Sequence, residues 1–146
     1  MSHSASIDVT LAKPFAFSRV LEVLSQAGWT LDAEDAICYL PPGHGDGFEW
    51  TNVAPAAREE VLAHIRQMDR AGEFLGIVVT WQDTGIGGQL LMLEDRATFS
   101  LSLTVRRRLL ERCGRATDFS WYVGRLLEPV IAAGLAFESV RCAEHV

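Results

Sequence analysis

Lysine is nearly missing from this chain: Lys13 stands alone against twelve arginines, a bias that points to a GC-rich coding sequence and a bacterium of that type. Cysteine is scarce as well. Cys38, Cys113 and Cys142 are odd in number and far apart, which excludes both a disulfide framework and a zinc site of the Cys-x-x-Cys kind, and suits a reducing interior. Long apolar runs are absent, the longest being residues 74–79, against the roughly 20 residues of a membrane helix. The first ten residues lack a basic segment followed by an apolar one, so no leader is read there and a soluble, cytoplasmic, membrane-free protein is expected.

Charge of positive sign is also short overall. The net charge is -6, and the first 73 residues carry eleven acids against five bases. Phosphate neutralisation wants a broad basic surface, so nucleic-acid binding is not expected. What remains, 49% hydrophobic and 22% charged over 146 residues, is the composition of an ordered globular chain. A chain of that size buries roughly 68 to 70% of its unfolded surface, which suffices for one domain over 1–146 without metal or disulfide, with 1–6 as a disordered tail.

The densest information lies in TFSLSLTVRRRLLERCGR, residues 98–115. Phe99, Leu101, Leu103 and Val105 alternate with Thr98, Ser100, Ser102 and Thr104, the period-2 pattern of a strand with one buried face. The pattern predicts Ser100 and Ser102 exposed. A wet face argues for an antiparallel sheet with helices on its other side. Residues 106–115 then carry a net charge of +4, leaving -10 on the remainder.

Elsewhere 7–11 reads as a strand and 15–27 as a helix with Val20, Leu21, Val23 and Leu24 on its apolar stripe. Residues 29–32 and 36–40 read as two strand segments or one bulged strand. A glycine-rich segment follows, irregular through 54, and then a helix over 55–70 opened by Pro55 and ended by Gly72. Residues 74–81, 89–93 and 98–105 form a meander, with 83–88 as its first turn. Leu109 and Leu110 suit a short turn of helix. Thr117 or Asp118 can cap a helix over 119–133, which is apolar on most sides and should be the most buried, with a kink at Pro129. A last strand over 135–142 completes an α+β fold: an antiparallel sheet of about six strands with about three helices mainly on one face.

Function is less legible, because no catalytic set, metal set or cofactor motif is complete. His44, Asp46 and Glu49 cluster in the central loop, yet one histidine with flexible neighbours makes no ligand set, and His3, His64 and His145 are placed in a tail, on an exposed helix and at the terminus. The Gly85-Ile86-Gly87-Gly88 run precedes a strand, whereas a phosphate loop needs a helix there. Cys113 alone sits among arginines that would favour its thiolate; Cys38 and Cys142 read as core.

Arg106, Arg107, Arg108 and Arg112 form the concentrated cationic patch, suited to holding a carboxylate or phosphate or to pairing with the chain's own acids. At most two of Arg106, Arg107 and Arg108 can converge on one ligand. Trp50 and Trp81 are aromatic anchors for a binding surface, or core. Two classes follow. One is a noncatalytic protein-interaction module, an adaptor or immunity-type inhibitor whose acidic surface meets a basic partner. The other binds or transforms a small anionic ligand beside Arg106, Arg107 and Arg108.

Overall fold

Alternation of apolar and small polar residues builds the centre of the sheet, in strands β1 (Ser4–Leu11) and β7 (Thr98–Val105). They pair antiparallel with Ile7 opposite Leu101 and Val9 opposite Phe99, so all four side chains enter the core. The computed structural model describes residues 3–43 and 49–145. Within them the order continues through α1 (Phe17–Ala27), β2 (Trp29–Thr30), β3 (Ile37–Tyr39), β4 (Thr51–Val53), α2 (Arg58–Ala71), β5 (Leu75–Trp81), β6 (Gly87–Met92), α3 (Phe119–Ala132) and β8 (Phe137–His145), with β7 between β6 and α3. A 3-10 turn, Pro55–Ala57, leads into α2.

The fold is α+β, with three helices and an eight-stranded antiparallel sheet in the order β4-β3-β5-β6-β7-β1-β8, while β2 pairs with the free end of β5. The strand number exceeds the expected six for two reasons. Residues 29–40 supply two separate strands, and Thr51–Val53 pairs with β3 inside a stretch read as irregular. β1 starts at Ser4, inside the expected tail, because Ser4, Ala5 and Ser6 pair with His145, Glu144 and Ala143. Gly87 and Gly88 belong to β6 rather than to the turn. A side chain at Gly88 would run into the Ser102 carbonyl of β7, so the chain can pair so closely there only without one.

The helices cover one face, with α1 between α2 and α3. α1, not α3, is the most buried helix: it sinks Phe17, Val20, Leu21, Val23 and Leu24, while α3 buries Tyr122, Leu126 and Val130. The reason is position, since α3 lies at the β8 end of the sheet with no further helix among the described residues beyond it. Ala16 cannot cap α1, and the Asp69 carboxylate of α2 does so instead, accepting from Phe17 N and Ser18 N at 2.9 Å each. Arg96, buried and at φ 58°, holds that carboxylate through Nε at 3.1 Å and donates to the Leu93 and Met68 carbonyls. Phe15 is drawn off the helix because its amide donates to Arg96 O at 2.9 Å.

α3 runs past Pro129 to Ala132. Proline removes the amide that would bond Arg125 O, and the Trp29 indole supplies the missing donor at 3.0 Å. On the helix-free face Ser100 is buried, contrary to the alternation, because it stands between Asp8 of β1 and Leu91 of β6 in the middle of the sheet. Trp50 also lies on this face, over Gly76. A Cβ at Gly76 would come within 2.7 Å of the indole, so the glycine makes room for the ring. His64 is half-buried rather than exposed, 2.7 Å from the Tyr39 hydroxyl.

Candidate functional site

The four residues of the arginine patch do not act together. β7 ends at Val105 and the chain turns at Arg106, whose φ of 46° sends the next side chains apart. Arg106 is exposed and its stem leans over Gly85 of the β5–β6 turn. Arg107 turns toward the end of β8. Its Nη1 meets Glu144 Oε2 at 2.7 Å and Thr117 Oγ1 at 2.8 Å. His3 Nε2 lies 2.9 Å from the same carboxylate oxygen, so the expected tail histidine is a tied residue. The Thr117 hydroxyl and amide donate to Glu144 as well. The Thr117 hydroxyl first, with His3 and the Thr117 amide, holds the Glu144 carboxyl down to about 2 against the opposing effect of burial.

Arg108 takes a third direction. Its Nε pairs with Asp118 Oδ2 at 3.1 Å, its guanidinium lies 5.6 Å from the Trp121 ring centre, and its amide donates to the buried Tyr122 hydroxyl at 2.7 Å. Asp118 caps α3 by accepting from Trp121 N at 3.4 Å, and the Ser120 hydroxyl donates to it at 2.8 Å. The Ser120 bond, followed by Arg108, lowers its carboxyl below the usual range. Arg112 is exposed in the loop before α3, and Cys113 beside it is exposed too. Leu109 forms an isolated bridge with Thr117 instead of a turn of helix.

Trp81, at the end of β5, joins Arg108 through residues that the sequence did not single out. It meets Trp29 edge-on at 5.3 Å and Trp121 edge-on at 6.5 Å. The Arg125 guanidinium lies 4.3 Å from the Trp121 ring centre and 5.4 Å from that of Trp81. Its Nη1 donates to Trp121 O at 3.0 Å, while its Nε is buried without a partner among the described residues. A groove of about 660 Å³ opens here, lined by Trp81, Ser120, Gly124, Arg125, Glu128 and Pro129 among others. The one signal for Arg125 and Trp121 is their spacing of four on a helix, which stacks a cation on an indole.

The other candidates lie elsewhere. Trp50 is half-buried on the opposite face, Glu49 is exposed, and His44 and Asp46 fall outside the described residues. A smaller cavity of about 170 Å³ on the helix-free face is lined by Thr30, Cys38, Asn52, Val78 and Thr80 among others. Cys38 is half-buried and Cys142 exposed, rather than both being core, and burial raises both thiols. Among the described residues no cluster of three histidine, cysteine, aspartate or glutamate side chains comes together to hold a metal ion. No described helix is long and apolar enough to cross a membrane.

The class defined by these features is an α+β protein with an aromatic groove, lined by Arg125 and Glu128, at one end of its sheet. No known family, curated protein or solved structure matches the chain.

Proposed function

We propose that this protein is a noncatalytic interaction module of the adaptor or immunity type, and that its arginine–tryptophan end receives an acidic segment of a protein partner. The observation that carries this reading is the stacked set Trp81, Arg125, Trp121 and Arg108 beside an open groove. Tryptophan and arginine are the residues most enriched at binding hot spots, because each offers a large desolvated contact together with a directed donor. They suit recognition better than reaction. An indole does not titrate and a guanidinium keeps its proton, so the Glu128 carboxylate is the one titrating group among the residues that line the groove. Arg106, exposed and without an ion pair among the described residues, lies over Gly85 in the turn that follows Trp81.

The second reading, a small anionic ligand, is favoured by one observation: about 660 Å³ lies within the range of small-molecule clefts. Titration followed by NMR separates the two, using an oligoglutamate peptide, its oligolysine counterpart and inorganic phosphate. The peptide should perturb the indole signals of Trp81 and Trp121 and bind far more tightly than phosphate. The double substitution Arg106→Ala with Arg108→Ala should weaken it by about tenfold or more while the melting temperature holds, since charge-assisted arginine contacts contribute about 1.5–3 kcal/mol. Unchanged peptide affinity in that variant would sink the proposed site. Phosphate binding as tight as the peptide's selects the small-anion reading.

A further inference from the structure

The two edges of the sheet are not alike. β4 closes one end with three residues, a length that offers little to another strand. β8 closes the other with nine, and β1 is its single neighbour, so its outer row of amides and carbonyls has no strand partner among the described residues. A long open edge of this kind is a template for pairing.

The apolar side chains around that edge are left uncovered. A bulge at Glu138 brings Phe137 onto the helix side of the sheet along with Val140 and Cys142, which lie opposite the core residues Leu11, Val9 and Ile7. Their counterparts in β1 are sealed, yet Phe137 is 37% exposed and Cys142 is exposed. On α3 the flank turned away from the Arg125 groove carries Val123, Leu127 and Ile131, spaced by four. Ile131 is 54% exposed and shares a shallow apolar hollow with Leu135 and Phe137. The helix therefore stands beside the strand with Val123 and Leu127 half-buried against the core and Ile131 exposed, which is why α3 is less buried than its composition suggests.

We infer that the outer edge of β8 and the Val123–Leu127–Ile131 flank of α3 form a two-fold interface with a second copy of this chain. An antiparallel edge is complementary to itself: rotation about a dyad normal to the sheet turns each unpaired amide toward a carbonyl of the other copy. The same rotation keeps helices beside helices. The regular part of β8 runs from Ser139 to His145, so the register that uses all of it centres the dyad on Cys142. Arg141 then faces Ala143 of the second copy and Ser139 faces His145, with no like charges directly opposed. The edge is close to neutral, since Glu144 is already paired with Arg107 and Arg141 balances Glu138. Seven paired residues at about 3.4 Å, over a sheet and helix layer about 20 Å deep, give on the order of 480 Å² per copy and about 950 Å² in total, at the low end of specific interfaces. This surface lies on the opposite flank of α3 from the groove and does not depend on the function proposed for it.

Light scattering at micromolar concentration and diamide cross-linking test the inference. The wild type should have the mass of a dimer. Directly opposed antiparallel residues have Cα atoms about 4.5–5.5 Å apart, inside the span of a disulfide, so two Cys142 thiols should yield two electrons and two protons to diamide and form one bond. In a Cys113→Ser background, which removes the other exposed thiol, Cys142→Ser should abolish the cross-link and leave the dimer. Ile131→Glu, at an exposed site, should weaken association by about tenfold or more while far-UV dichroism shows the fold unchanged. A monomer at every concentration overturns the inference. So does a dimer that Ile131→Glu leaves intact, or one whose cross-link survives Cys142→Ser in the Cys113→Ser background.

Discussion

At the scale of single residues, two carboxylates of this chain, Asp69 and Glu144, are tied to distant partners. Glu144 accepts from Thr117 and His3 and pairs with Arg107, joining the ends of β1, β7 and β8. Its folded carboxyl is held near 2, below the ordinary 4.5, so its contribution to stability is full above about pH 4.5 and is lost as pH falls toward 2. Glu144→Gln should therefore lower stability at neutral pH and flatten the acid limb of a urea-unfolding series between those values. A variant whose acid limb matches the wild type would show that this carboxylate does not carry the linkage. The arginines were legible as a charged patch, but their destinations were not: the sequence could not show that Arg107 would meet an acid 37 positions later.

Elements in this fold are completed by one another. α1 borrows its cap from α2, and α3 tolerates Pro129 because the β2 indole of Trp29 reaches Arg125 O. The second arrangement gives a measurable coupling. Trp29→Phe keeps most of the ring but orphans the carbonyl, at a cost of about 1–3 kcal/mol. Pro129→Ala restores the helical donor, so Trp29→Phe in that background should cost clearly less. Equal costs in both backgrounds, measured by chemical denaturation, would mean that the indole bond contributes nothing. The stripe of α1 and the alternation of β7 were readable because period and burial coincide there. The short strands β2 and β4 were not, because two or three residues carry too little period and exist only through their neighbours β5 and β3.

At the scale of the molecule, one continuous apolar cluster links β1, β3, β5, β6 and β7 with all three helices. Such a core predicts a single cooperative transition, with far-UV dichroism and tryptophan fluorescence coinciding in urea, unmoved by chelator or reductant. Separate transitions for the two probes would mean independently folding parts, and a shift with chelator a metal that holds the fold. The sequence by itself determined the class, an antiparallel sheet under helices, along with the core face of the long strands and the helix stripe of α1. Those rest on local periodicity, which each segment carries within itself. The tertiary structure alone decided that Trp81 meets Arg125, that Arg107 is spent on Glu144 while Arg108 stacks on Trp121, and that α3 and β8 stand at an uncovered edge. Each depends on the order of strands in the sheet, and that order is set by packing between segments far apart in the chain, which leaves no local period to read.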